Sequence, residues 1–260
     1  MNILITNDDG ILSPGLWALV KELNSIASVT VVAPDREQSA TGTSVTLRQP
    51  LRVQKINPLI HGTAAYSVEG TPCDSVILAL GKITGEKPDL LVSGINMGLN
   101  TGDDVLISGT VGAALQGYLR DVPAIAISVL NYNNGNNENA ARLIKLLAQR
   151  FKDGSLSGDF FLNINVPDLS LADIKGIRVI PQAHKTHIDT VQEGHDGKRE
   201  YYWLVRQQLN NNVDKNTDIY VLKDGCISIT PLNETLFHRT SPGLNDNLCL
   251  KIFDELRQAP

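Results

Sequence analysis

The chain is short of three things, and each shortage excludes something. It has only three cysteines in 260 residues, Cys73, Cys226 and Cys249, odd in number and far apart. With no CxxC and no Cys/His cluster, they suggest neither a disulfide framework nor a zinc site. There is no run of lysine and arginine, and the formal net charge is -5 with a pI near 5.5. General binding to nucleic-acid duplexes or to a membrane surface needs basic patches, so both classes are set aside. No apolar segment approaches the roughly 18 to 20 residues that a membrane span requires. The first residues lack the basic flank and long apolar stretch of a secretory signal, and a reducing cytoplasm is the expected setting. Also missing are a Walker loop, a GxGxxG directly between strand and helix, a GxSxG elbow and any internal repeat. Small molecules bearing phosphate stay in play, because a metal ion and backbone N–H groups hold them without net positive charge.

What is present alternates. Asn2–Thr6 (NILIT), Ser28–Ala33 (SVTVVA), Asp89–Ser93 (DLLVS) and Ala124–Ser128 (AIAIS) are short apolar runs. Runs of this kind suit strands buried on both faces of a parallel sheet. Helix signals lie between them. Ser13 before Pro14 reads as an N-cap with proline at N1, opening a helix to about Asn24. Thr71-Pro72-Cys73-Asp74 reads as a capping box, with Gly81 suited to the helix end. Further helices are expected over Thr110–Arg120 and Glu138–Phe151. The alternation predicts an α/β fold, a doubly wound, mostly parallel, Rossmann-like sheet with right-handed crossovers.

Two regions depart from that alternation. Residues 44–68 hold short extended stretches suited to a hairpin at the sheet edge. From about residue 160 an antiparallel C-terminal extension is expected, with FFLNINVP as a strand and Glu200–Arg206 paired with Asp218–Leu222 around a polar loop. Asn131–Asn139 and Gln182–Lys198 read as loops, the second carrying three of the five histidines. Asn245–Gln258 reads as an amphipathic helix suited to holding a partner subunit. One continuous domain is expected, with residues 1–130 as its Rossmann-like core and 131–260 adding the extension and an oligomerisation segment.

In an open α/β sheet, ligands sit outside the carboxyl ends of the strands. The segments that follow the predicted strands are Asn7-Asp8-Asp9-Gly10, Pro34 to Ala40, Gly94 to Asp104, and Ser108-Gly109-Thr110 at a helix start. All are polar or glycine-rich, and all fall on one edge. Asp8 and Asp9 stand out among them. Consecutive strand side chains point to opposite faces, so both carboxylates reach one point only where the chain turns, as Gly10 permits. Carboxylates held close repel, and one takes up a proton unless a cation neutralises the pair. Oxygen donors without cysteine or a histidine cluster suit a hard divalent ion, Mg2+, Mn2+ or Ca2+. An Asx-turn capping the next helix explains the local sequence about equally well. Ser39 and Asn96 add neutral oxygens from neighbouring loops, although turn chemistry accounts for either alone. Ser108-Gly109-Thr110 either admits an anion to open N–H groups or simply caps a helix. His184 and His187 lie where no helical periodicity exists and read as surface histidines.

Taken together, NDDG (7–10), PDREQSATG (34–42), GTPCDSV (70–76), SGINMGLNTGDD (93–104) and SGTVGAALQG (108–117) resemble the SurE family, stationary-phase survival proteins that are metal-dependent nucleotidases. TDIYVLKDGCISITPL (217–232) is similar to the family's C-terminal signature. The resemblance implies release of phosphate from nucleoside 5′- and 3′-monophosphates with one divalent cation, Mn2+ or Mg2+, Ca2+ being admissible. It also implies a homodimer or homotetramer built partly by exchanged C-terminal segments. By motif matching it puts catalysis on Asp8 and Asp9, metal ligation on Asp8, Asp9, Ser39 and Asn96, and phosphate binding on Asn96, Ser108, Gly109 and Thr110. Ile107 departs from the family pattern, which usually has an aromatic residue before SGTV, and this bears on substrate preference.

The chemistry expected is metal-assisted hydrolysis of a phosphate monoester. Direct attack by water and a covalent aspartyl-phosphate through Asp8 or Asp9 both stay open. A receiver-like signalling domain shares the acidic pair but needs a further Asp and a Lys after later strands. Here Gly94-Ile95-Asn96 and Val129-Leu130-Asn131 stand there instead. A non-enzymatic module that binds nucleotide through a bridging metal differs only in releasing no phosphate.

Overall fold

The computed structural model describes residues 1–131, 136–184, 186–208 and 214–233. In chain order its strands are β1 (Asn2–Thr6), β2 (Ser28–Pro34), β3 (Val53–Ile56), β4 (Ala64–Val68), β5 (Leu90–Met97), β6 (Ala124–Val129), β7 (Phe161–Val166), β8 (Ile177–Val179), β9 (His187–His195), β10 (Glu200–Gln208) and β11 (Ile227–Leu232). The helices are α1 (Pro14–Leu23), α2 (Pro72–Leu78), α3 (Gly109–Tyr118), α4 (Asn136–Lys152) and α5 (Asp218–Lys223).

A nine-stranded sheet runs in the order β3-β4-β2-β1-β5-β6-β7-β11-β8. From β4 through β7 every neighbouring pair is parallel. The apolar runs sit at the middle because both their faces are covered, and all six residues of β6 are buried. On one face, Ile3, Ile5, Leu16, Leu19, Leu23 and Ile144 join the sheet to α1 and α4. On the other, Leu4, Leu91, Val111, Ala114 and Phe161 join it to α2 and α3. Each of the larger side chains among them contributes roughly 1.5–3 kcal/mol on burial, which makes the central sheet a rigid platform for loops at its carboxyl edge.

The expected edge hairpin is β3 and β4, antiparallel to each other, with β4 also joined in parallel to β2. The capping box holds: Thr71 accepts from the Asp74 N–H while the Asp74 carboxylate accepts from the Thr71 N–H. Ser13 precedes α1 as expected but makes no side-chain cap bond.

The structure corrects the sequence reading in four places, three of them in the second half. Asp218–Leu222 is not a strand but lies in α5, because Asp218 turns its carboxylate onto backbone N–H groups of its own and other segments. The partner of β10 is therefore β9, antiparallel over its whole length, so most of Gln182–Lys198 is strand rather than loop. β7 is parallel to β6 and belongs to the main sheet, and the antiparallel step comes only at β11. Helix α2 stops at Leu78 and gives way to a π turn over Ala79–Ile83, so Gly81 lies inside the turn instead of ending the helix. The helix expected over Asn245–Gln258 lies outside the described residues.

Candidate active site

β1 and β5 are neighbours, yet β1 leads to β2 on one side while β5 leads to β6 on the other. Their carboxyl ends flank the point where the strand order reverses, the usual crevice for a ligand in an open α/β sheet. Asp8 and Asp9 follow β1, and Asn96 lies near the end of β5.

The chain leaves β1 in a tight turn closed by Asn7, whose Nδ2 donates to the Gly10 carbonyl at 2.9 Å. Gly10 has a φ of +96°, and a Cβ there would lie 3.0 Å from the Arg36 backbone carbon. The side chain of Asn7 thus closes this turn. The Asp8 carboxylate goes to the start of α3, where Thr110 Oγ1 donates to Asp8 Oδ1 at 2.5 Å. Gly109 makes that approach possible, since a Cβ on it would stand 2.9 Å from Asp8 Cβ and 3.0 Å from Asp8 Oδ2. Asp9 Oδ2 accepts from the Met97 N–H at 3.2 Å, tying the pair to the end of β5. Asp8 is 4% exposed. Burial pushes its carboxyl up from 3.8 to about 6, opposed by the Thr110 hydrogen bond and reinforced by the charge of Asp9.

Asn96 is aimed by a bulge. Ser93 pairs with Ala126 and Asn96 with Ser128, so three residues advance on β5 against two on β6. Bulges of this kind redirect a side chain beside functional sites. The Asn96 amide donates to the Gly98 carbonyl at 2.7 Å, which leaves Oδ1 as the atom it offers a cation. Ser39 stands in a loop bonded to the site through Gln38 N–H and the Asp8 carbonyl, 2.7 Å. Its own hydroxyl is exposed and donates its proton to Glu37 Oε1 at 2.7 Å, a bond that leaves the oxygen lone pairs to offer a cation.

Ser108 caps α3, its Oγ accepting from the Val111 N–H at 3.1 Å, and the hydroxyl proton is still able to donate elsewhere. Thr110 has committed its proton to Asp8. Of the four residues expected to grip phosphate, Gly109 and Thr110 thus serve Asp8 first, Asn96 gives its amide to Gly98, and Ser108 keeps a hydroxyl proton to donate. His187 is occupied elsewhere, with its Nε2 3.5 Å from Asp104 Oδ2, beside Arg206 Nε at 2.9 Å from Asp104 Oδ1. These contacts anchor the β9–β10 hairpin to a 3-10 turn at Gly102–Leu106.

The donor set fits a hard divalent cation. Asp8, Asp9 and Asn96 offer oxygen only, and among the described residues no group of three His, Cys, Asp or Glu competes as a softer site. The buried Asp8, driven up toward neutrality, is a group that a neighbouring cation would return to its charged form.

Sequence reasoning missed the residues that fix the loop between Asn96 and Ser108. Asn100 is buried and clamped: its N–H donates to Asn165 Oδ1 at 2.8 Å and its amide to Ser128 Oγ at 2.8 Å. Its carbonyl accepts from the Asn163 and Asn165 amides at 2.8 and 3.0 Å. The available signal was two asparagines two residues apart in the apolar run FLNINV, hence on one face of a buried strand.

Comparison with known proteins agrees with this geometry. The family described as Survival protein SurE matches residues 3–189. A protein from Dehalococcoides mccartyi (strain CBDB1) named 5'-nucleotidase SurE is 59% identical over 248 residues, 95% of this chain and 94% of its own. One of the same name from Heliobacterium modesticaldum is 42% identical over 90% of this chain and 86% of its own. The crystal structure of the SurE protein from Aquifex aeolicus superposes with a TM-score of 0.75 at 32% identity, covering 99% of this chain and all of that one. A match across most of the chain in sequence and nearly all of it in fold, with the acidic pair at the crevice that the strand order creates, makes this protein a member of the SurE family.

Proposed function

We infer that the protein is a nucleoside monophosphate phosphatase that uses a divalent cation. The observation that carries this reading is the convergence of Asp8, Asp9, Asn96 and Ser108 on the switch point of the sheet, in a chain whose close relatives are named 5'-nucleotidase. Asp8, Asp9 and Asn96 would hold the ion, with Ser39 joining them through a lone pair of the hydroxyl whose proton goes to Glu37. When bound, a divalent cation draws charge from phosphoryl oxygens and makes a water more acidic.

The chain's own groups do the rest. Thr110 holds Asp8 in one rotamer and favours its ionised form. Ser108 Oγ donates to a phosphoryl oxygen, and the small residues that open α3 let the helix start stand close to the phosphate. Asp9 is the more accessible carboxylate, and it takes the proton from the attacking water. Met97 and Ile107, both exposed beside Asn96 and Ser108, offer apolar surface to the nucleoside. The test is phosphate release from a panel of nucleoside 5′- and 3′-monophosphates. Turnover should appear with Mn2+ or Mg2+, stop with EDTA and return on adding the ion. Binding of nucleotide without release would refute it.

The same reading includes assembly into a homodimer or homotetramer in a cytoplasmic setting. The β9–β10 hairpin supports the first, since it exposes Ile188, Val191, Tyr202, Trp203 and Leu204, the last at 82%. Alternation along the strands puts Tyr202, Leu204 and Val191 on one face of the ribbon and Trp203 and Ile188 on the other, and exposed apolar surface of this kind marks contact sites. The free buried thiols of Cys73 and Cys226 suit reducing surroundings. No helix among the described residues is long and apolar enough to cross a membrane.

A further inference from the structure

Asp218 is a fully buried carboxylate that the mechanism above does not use. A charge taken out of water is tolerated only where specific partners offset the lost hydration. Here the partners are backbone N–H groups from three segments. Oδ2 accepts from Gly102 at 3.0 Å, and Oδ1 accepts from Ala183 at 2.9 Å and from Ile219 at 2.8 Å. Gly102 lies 116 residues upstream and opens the 3-10 turn Gly102–Leu106. Its carbonyl is held as well, by Gln182 Nε2. A Cβ on Gly102 would lie 2.5 Å from the Thr186 side chain, so the turn is also packed tight. Asp103 and Thr186 then exchange bonds, Asp103 N–H to Thr186 Oγ1 at 3.0 Å and Thr186 N–H to Asp103 Oδ2 at 2.6 Å.

This turn leads straight into the site. The Ser108 N–H donates to the Asp104 carbonyl at 3.0 Å, so the last bond of the turn sets the cap of α3. The Ile107 carbonyl accepts from Gly42 N–H at 2.8 Å, joining the same point to the loop that carries Ser39. We propose that Asp218 is a positioning residue for phosphate binding. By gripping Gly102 it fixes, through the turn, where Ser108 and the start of α3 stand relative to Asn96. A carboxylate suits this place because all three partners are donors, and an amide would turn an NH2 group toward one of them. The inference rests on the phosphatase reading and adds to it a part of the machinery drawn from the C-terminal half.

The test is Asp218→Asn, which keeps size and shape and replaces one acceptor by a donor. Three quantities are measured: kcat and KM on a nucleoside monophosphate with Mn2+, affinity for inorganic phosphate, and affinity for Mn2+ alone. kcat/KM is expected to fall about 100-fold, the scale that a misplacement of about 1 Å produces. Phosphate affinity should weaken about 10-fold, taking the Ser108 contact as an ordinary hydrogen bond to a charged group. Mn2+ affinity should stay at the wild-type value, because Asp8, Asp9 and Asn96 are untouched. Ile164→Val, in the core of the same sheet, lowers Tm without touching the loop and should keep wild-type phosphate affinity. A folded Asp218→Asn protein with wild-type KM and phosphate affinity overturns the proposal. So does an equal loss of phosphate affinity in Ile164→Val, which would make the effect one of stability alone. If Asp218→Asn does not fold, Gln182→Ala, which releases only the Gly102 carbonyl, is read against the same criteria. A wild-type protein that binds phosphate but releases none from any nucleotide refutes the phosphatase reading, while the phosphate affinities still decide the role of Asp218.

Discussion

Replacing Asp8 by asparagine should end catalysis and at the same time stabilise the metal-free protein. Asp8 is 4% exposed, and its carboxyl rises from 3.8 to about 6, chiefly through burial. A carboxyl whose pKa is higher folded than unfolded binds its proton more tightly in the folded state. Below about pH 3.8 it is protonated in both states and carries no penalty; the penalty grows as pH rises through about 6 and then levels off. At about 1.4 kcal/mol for each tenfold in proton affinity, a rise from 3.8 to about 6 comes to about 3 kcal/mol at neutral pH and above. The substituted side chain never ionises and still accepts from the Thr110 hydroxyl, though more weakly as a neutral group. The net gain should be about 2–3 kcal/mol at pH 8 and close to nothing at pH 4. Urea unfolding in EDTA, at one protein concentration and both pH values, measures it. Adding Mn2+ should then stabilise the wild type alone, by about 2.7 kcal/mol at a hundred times its Kd. An Asp8→Asn protein less stable than wild type at pH 8 in EDTA, or a difference independent of pH, would refute the reasoning.

Other outcomes follow from the same contacts. Thr110→Val removes the hydrogen bond that favours ionised Asp8, a bond to a charged group worth about 1.5–3 kcal/mol. The acid limb of kcat/KM should move to higher pH, with Thr110→Ser restoring it, and an acid limb left in place would count against the assignment. Gly109→Ala puts a Cβ 2.9 Å from Asp8 Cβ and should displace that carboxylate. Calorimetry should find Mn2+ binding weakened at least about tenfold, as for loss of one supporting group at a metal site, and wild-type affinity would show the contact to be unimportant. Light scattering should give the mass of two or four chains, and a monomer at micromolar concentration would refute the assembly.

The Gly102 turn is where local reading and tertiary structure part most clearly. DIYVLK is rich in residues that favour strands, and nothing within it announces a helix. The decision came from Asp218, whose carboxylate finds Gly102 and Ala183 only once the chain has folded. Thr110 behaves alike. As part of a motif it suggests a phosphate contact, but its proton goes to a carboxylate 102 residues away. The histidines of the β9 segment show the converse, a polar stretch that reads as loop until β10 supplies the other half of its ladder.

The amino-acid sequence by itself determined the parallel centre of the sheet, since apolar runs such as NILIT and AIAIS suit no place but one covered on both faces. It also determined that an acidic pair with a glycine after it would leave the first strand, because charge and turn chemistry are local properties. The tertiary structure alone decided which face Asp8 would bind, how the β5 bulge aims Asn96, and which buried groups hold the loop between them. Those contacts join residues far apart along the chain, and no spacing or periodicity within a short window carries a trace of a partner a hundred residues distant.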